Sequence, residues 1–278
     1  MEKQNRYYLT TDSFIIILDS RNATQKLNSS SNSSVLFDFE DTLFRRSFSK
    51  AKCSVLTFSS ANGLYNINET NNLLAITISN VTTNYQISLG NYNSKTFIST
   101  LLSILPVGFN ITLNTITNKL TFSYATDFII NGTSTIYDTI GGSLGISYNS
   151  TNSILTLPFT VNFNGIQSFN VHLTNVKTRN INSFSKSAST IIQSIPVNPA
   201  TSQICYNKQN NYSFDLNDEM EYLQIELKDD LNNYINLNNK DWNLTILIEE
   251  MAEFNILERN NTFYNIVENA STGFSNYY

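Results

Sequence analysis

The feature that most constrains this chain is a recurrence of short apolar runs, rich in Ile, Val, Leu and Phe, each broken by clusters of Asn, Ser, Asp and Gly. Runs of that length and make-up, bounded by turn formers, read as β-strands. Three open the chain, at 14–18, 35–39 and 51–58, and six follow in its second half, at 155–163, 167–173, 189–195, 202–207, 222–227 and 242–249. Nine such runs lie within boundary error of the eight strands of a jelly roll. The predicted fold is therefore mainly β, a jelly-roll-like antiparallel β-sandwich. In the first run, Phe14-Ile15-Ile16-Ile17-Leu18, every position is apolar, the pattern of a strand buried on both faces. The polar, Ser-rich stretch 23–34 has no periodic apolar anchor and reads as a mobile loop.

Between 64 and 148 the pattern changes. Alternating runs at 73–79 and 84–89 predict a hairpin, and 109–113 with 119–124 predicts another. Between the hairpins, Phe97, Ile98, Leu101, Leu102 and Leu105 recur at helical spacing, with Ser94 placed to cap and Pro106 placed to stop the helix. The stretch ends on Gly141, Gly142 and Gly145, which permit tight turns around an apolar anchor. This predicts a small inserted β-β-α-β-β module at 64–148, interrupting a discontinuous sandwich formed by 1–63 and 149–278.

Composition narrows the function. The net charge is −5 and only 14% of residues are charged, which argues against a general nucleic-acid surface, since phosphate binding needs clustered cations. The one compact basic cluster, Arg45, Arg46, Lys50 and Lys52, reads as a solvated strand edge. Asn supplies 42 of the 278 residues, a bias that an A+T-rich genome imposes on any fold and that also makes Asn-x-Ser/Thr triplets common by chance. The polar surface is then built of neutral side chains, which suits packing against other proteins. No apolar run reaches the length of a membrane span and the first residues lack the apolar core of a signal peptide, so residence inside a cell is expected.

No reactive constellation emerges. Cys53 and Cys205 are far apart with no metal-ligand spacing and read as buried thiols. Asp19 and Arg21 can pair or order a loop but lack a nucleophile or a His. His172, the single histidine, falls on the polar face of a strand by alternation. Asp215, Asp218, Glu219 and Glu221, with Asp229-Asp230, lack the spacing of a Ca²⁺ loop. Nothing sets Glu249, Glu250 and Glu253 against a second carboxylate across a cleft. With no phosphate loop, nucleophile elbow or His-Glu-x-x-His present, the chain is expected to be a non-enzyme with no catalytic, cofactor or metal residues. Trp242, the only Trp, follows a turn and precedes an apolar strand, where its ring can seal the end of the sandwich.

Three stretches in order carry a family resemblance. The first is Ile17-Leu18-Asp19-Ser20-Arg21-Asn22, then Phe37-Asp38-Phe39 and Tyr65-Asn66-Ile67-Asn68. The second is Leu89-Gly90-Asn91-Tyr92, Asn118-Lys119-Leu120-Thr121-Phe122 and Gly142-Ser143-Leu144-Gly145-Ile146. The third runs from Leu223-Gln224-Ile225-Glu226-Leu227-Lys228-Asp229-Asp230 to Trp242-Asn243-Leu244-Thr245-Ile246 and is similar to a terminal hairpin. Together they resemble the penton and minor capsid proteins of virophages, Polinton-like viruses and related large DNA viruses. The resemblance implies a structural virion protein in an icosahedral capsid, a homopentamer at the vertex or a minor capsid protein, partnered by itself and by a major capsid protein and made in the host cytoplasm or virus factory. The alternative is a viral receptor-binding or attachment protein.

Overall fold

A computed structural model of the chain describes residues 6–28, 31–39, 50–174, 190–208, 214–216 and 222–255. The opening strands are β1 (Arg6–Asp19), β2 (Gln25–Lys26), β3 (Ser34–Asp38) and β4 (Lys50–Ala61). Then follow β5 (Leu73–Ile78), β6 (Val81–Gln86), α1 (Ser94–Ile104), β7 (Asn110–Asn114), β8 (Lys119–Ser123), β9 (Phe128–Ile130), the single-turn helix α2 (Tyr137–Ile140), β10 (Tyr148–Asn149) and β11 (Ile154–Thr156). The chain closes with β12 (Ser168–Leu173), β13 (Ile191–Pro196), β14 (Gln203–Asn207), β15 (Phe214–Leu216), β16 (Tyr222–Lys228) and β17 (Trp242–Asn255).

The opening and closing strands form two antiparallel sheets. One has the order β1-β17-β4-β14, with β15 continuing the β14 side along β4, and the other β13-β12-β16-β3-β2. Along the chain, β1 lies in the first sheet, β3 in the second, β4 in the first, β12 and β13 in the second, β14 and β15 in the first, β16 in the second and β17 in the first. That alternation is the double Greek key of a jelly roll, with eight strands when β14 and β15 count as one and β2 as an extension. Apolar side chains from both sheets meet in one core, where Trp242 stacks on Phe58 at 6.1 Å and takes the edge of Phe37 at 6.2 Å.

Between β4 and β12 the chain leaves these sheets. The segment builds a sheet β10-β9-β5-β6, a sheet β11-β8-β7 and α1 around a second apolar cluster that includes Phe97, Leu101, Leu120, Phe122 and Phe128. The β5–β6 turn is only Ser79-Asn80, both at positive φ, the two-residue geometry that matches strand twist. Asn93, not the expected Ser94, caps α1: its side chain accepts from the Thr96 N–H at 3.0 Å while the Thr96 hydroxyl accepts from the Asn93 N–H at 3.1 Å. The run expected as a sandwich strand at 155–163 is regular only in β11, which pairs with β8, and Leu155 and Leu157 pack in the second cluster.

The two crossings run side by side. Asn66 Nδ2 donates to the Phe163 carbonyl at 2.9 Å and to Tyr92 O at 2.7 Å, and its Oδ1 accepts from Tyr92 N–H. Gly165, at φ +64°, is pressed so close that a Cβ there would lie 2.9 Å from Asn66 Cα.

Other expectations are corrected by what covers each face. Leu18 is buried, but Ile15 is 57% and Ile17 75% exposed, so the first strand buries one face only; β1 is an end strand and nothing described packs on its outer side. The described part of the Ser-rich stretch is anchored: Ser31, Asn32, Ser33 and Ser34 are buried, and Asn32 O accepts from Trp242 Nε1 at 2.7 Å. The expected terminal hairpin is not one, because β16 and β17 lie in different sheets and the intervening segment sends Ile235 and Leu237 into the core between them. Lys52 is on β4, an interior strand, opposite Glu249 on β17, so it is no strand edge; Arg45 and Arg46 lie outside the described residues. Among the described residues, six of the eight non-glycine residues at positive φ are asparagines: Asn80, Asn118, Asn152, Asn232, Asn238 and Asn239. The Asn bias thus has a local structural use, since Asn tolerates the left-handed region better than most residues.

Candidate functional site

The chemically capable side chains are dispersed. Cys53 faces the core of the roll, where burial pushes its thiol well above the usual range, while Cys205 is exposed on β14 and not buried as expected. Asp19 accepts the Arg21 N–H at 2.9 Å and the Arg21 Nε at 3.0 Å, which closes a single 3-10 turn after β1 and holds the Asp19 carboxyl below its ordinary range. This is the loop-ordering role, carried by an exposed pair. Asp229 shapes the turn after β16 by accepting the N–H groups of Leu231 at 3.0 Å and Asn233 at 2.8 Å. Asp230 accepts from Ser168 and Asn170 on β12, each at 3.3 Å. Glu249 and Glu250 lie along β17, and Glu253 is opposite Tyr8. Asp215 is on β15 opposite Lys52; Asp218, Glu219 and Glu221 lie outside the described residues. Among the described residues, no three His, Cys, Asp or Glu side chains gather as a metal-binding set, and no helix is long and apolar enough to cross a membrane.

One polar cluster does form, on the outer face of the second sheet. His172 on β12 is directly opposite Glu226 on β16. Glu226 accepts from the Tyr234 hydroxyl at 2.8 Å and pairs with Lys228 at 2.6 Å, and the Lys228 ammonium lies 4.7 Å from the Tyr234 ring centroid. His172 Nδ1 is 2.9 Å from Thr190 Oγ1. Alternation placed His172 on the outward face correctly, but that face is covered and the residue is only 5% exposed. Burial, and then the positive charge of Lys228, lower its pKa to about 4. For Glu226, burial pushes the carboxyl up, but hydrogen bonds from Lys228 and Tyr234 outweigh this and leave it below the ordinary range. The Glu226 carboxylate is met by the Tyr234 hydroxyl and the Lys228 ammonium, so the cluster fastens the 229–234 turn onto the sheet.

The open surface lies across the roll, on the first sheet. There β1 is the end strand; Ile15 sits outward beside Leu247 of β17, and Ile17 beside Thr245. End strands are ordinarily protected by charge, bulges or cover. This one has a register shift between Thr10 and Asp12, but from Ser13 to Asp19 it pairs regularly with β17 and presents the two isoleucines unprotected. The run of isoleucines was visible in the sequence; that two of the three face solvent was not, because an unbroken apolar run carries no parity signal.

Fold and surface together define a jelly roll with an α+β unit between its third and fourth strands and an apolar end strand on the first sheet. No family model matches the chain, and no curated protein matches it in sequence. Among solved structures, the crystal structure of a selenomethionine-labelled mavirus penton protein is similar in fold, with 10% sequence identity and a TM-score of 0.44 over 89% of this chain and 100% of that one.

Proposed function

We propose that this chain is a non-enzymatic structural protein of a virion, a homopentameric penton or a minor capsid protein that assembles with itself and with a major capsid protein in an icosahedral shell. The observation that carries the reading is the outer edge of the first sheet. Ile15 and Ile17 on a long end strand form an unprotected surface that burial against another subunit would satisfy. The order of the three sequence stretches supports the same reading, as does a polar surface with few charges to desolvate. Mass spectrometry of purified particles tests it. A copy number equal to the vertices supports a penton, a larger number a protein cementing neighbouring capsomers, and absence from particles overturns both. On the isolated protein, the double variant Ile15→Lys and Ile17→Lys is expected to stay folded and to lose self-association in light scattering; unchanged association refutes the role of this edge.

An attachment role is the second reading, and one observation favours it. The β5–β6 turn and the starts of β7 and β11 lie at one end of the inserted segment, linked through Phe109, which stacks on Tyr124 and meets Phe128 edge-on, and expose Val81, Val107 and Ile154 there. Loss of cell binding, with intact particles, on changing Val107 to Asp would support it.

A further inference from the structure

We propose that Asn164 is the site at which this protein spontaneously deamidates, and that the resulting isoaspartate loosens the junction between the jelly roll and the inserted segment. The reaction needs an Asn followed by a Gly. The Gly165-type backbone nitrogen attacks the Asn side-chain Cγ, a C–N bond forms, ammonia leaves with the displaced proton, and water then opens the five-membered imide at either carbonyl to give aspartate or isoaspartate. Glycine is the favoured partner because it has no Cβ to obstruct the ring closure.

Three Asn-Gly pairs occur in the chain: Asn62-Gly63, Asn131-Gly132 and Asn164-Gly165. The structure sets them apart. The Asn62 carboxamide is held at both ends, donating to Thr201 O at 3.0 Å and accepting from the Leu64 N–H at 3.2 Å. At the second pair the Asn131 oxygen accepts from the Thr133 N–H at 3.0 Å and from its hydroxyl at 3.1 Å, and the attacking group, the Gly132 N–H, is itself engaged by Ser147 Oγ at 2.9 Å. Asn164 is exposed, in a stretch without regular secondary structure, and among the described residues neither its carboxamide nor the Gly165 N–H has a hydrogen-bond partner. Of the three, only this pair can reach the cyclic geometry without first breaking bonds that the fold has made.

The location gives the reaction a consequence. Gly165 is packed on Asn66, whose side chain ties the outgoing crossing to Phe163 on the returning one. Isoaspartate adds one carbon to the main chain and a carboxylate beside that clamp, so residues 64–66 and 162–166 lose their fitted contact.

The test is to age the intact protein at mildly alkaline pH and follow each Asn-Gly pair by peptide mapping, with isoaspartyl methyltransferase labelling to identify the rearranged product. Asn164 should convert on the order of tenfold faster than Asn62 or Asn131, since at least two hydrogen bonds must break before either of those reacts. Hydrogen exchange should rise at 64–66 and 162–166 in the aged protein, and Asn164→Gln should abolish both changes. The urea-unfolded chain, in which all three pairs are free, calibrates the intrinsic rates. If Asn164 survives in the folded protein while the unfolded chain reacts, or if Asn62 or Asn131 converts first, the proposal fails. Conversion at Asn164 with unchanged hydrogen exchange at the junction removes its structural half.

Discussion

The jelly roll and the segment inserted into it are both two-sheet structures with an aromatic core, yet they are assembled from opposite ends of the range of sequence separation. In the roll, Arg6 is opposite Asn255 and the N–H of Trp242 donates to Ser20 Oγ at 2.9 Å, so its core closes only when the two ends of the chain have met. In the inserted segment Leu73 is opposite Gln86 and Asn110 opposite Ser123, and a capped helix lies between the two hairpins. Closing long loops costs entropy before any contact is gained, so local pairings form first and non-local ones late. The comparison teaches that the inserted segment should be the autonomous part of this protein and the roll the dependent part, although the roll has the larger core.

Cutting the chain gives the largest expected effect. Residues 64–166 alone should give a dispersed NMR spectrum and residues 1–63 alone should not. A piece ending at 148 lacks Leu155, Leu157 and the strand that pairs with β8, and should lose most of that dispersion. A 64–148 piece as well folded as 64–166 would show that β11 is an ornament on the unit and not part of its core.

Next come core truncations, one in each region. Trp242→Ala should cost the roll about 3–5 kcal/mol, and Leu101→Ala should cost the inserted segment about 2–5 kcal/mol. Thermal unfolding followed by region-resolved hydrogen exchange should show each loss confined to its own region. Equal loss of protection in both regions after either change would mean that they unfold as one cooperative unit.

Acid sharpens the comparison further, because the buried polar cluster belongs to the roll. His172 has a folded-state pKa of about 4 against an ordinary value of 6.5. Between those values the unfolded chain binds a proton that the folded one refuses, so this contribution to stability is complete above pH 6.5 and is lost as the pH falls toward 4. Glu226, held below its ordinary range, adds a further loss at lower pH as it is protonated. Urea midpoints of the roll should therefore fall on acidification, and His172→Gln should flatten the part between pH 6.5 and 4. A His172→Gln profile that overlays the parent's would show that the imidazole is not sealed in.

The smallest effect expected is at the helix cap. Asn93→Ala should cost about 0.5–2 kcal/mol, felt in the inserted segment alone; a change confined to the roll in the same exchange experiment would contradict the separation of the two regions.

How much of this was legible follows the same division. The inserted segment's hairpins and helix were readable to within a few residues because turn residues, caps and periodicity are all local signals. What escaped were β9, β10 and the single-turn α2, four residues or fewer each and too short to carry a period, and the partner of β11, whose run was read as a strand of the sandwich but pairs with β8. In the roll the strands were readable but their partners were not. Leu227 and Trp242 look like the two arms of a hairpin, and only the structure puts β16 and β17 in facing sheets, with Ile235 and Leu237 filling the space between.

By itself the sequence determined the mainly β class, where the strands of the roll lie along the chain and the placement of one capped helix between hairpins, since these follow from side-chain periodicity and turn chemistry along a few consecutive residues; that the run at 155–163 leaves the roll was decided by its pairing with β8. It also determined the face on which His172 lies, because alternation is a local property of a strand. Only the tertiary structure decided that this face is closed over by Thr190 and the turn carrying Tyr234, that the outward isoleucines of β1 are open, and that a Ser-rich stretch supplies the carbonyl that the Trp242 indole needs. Whether a face is wet or dry depends on which distant segment is laid over it. That is set by the sum of many long-range contacts, which no window of neighbouring residues contains.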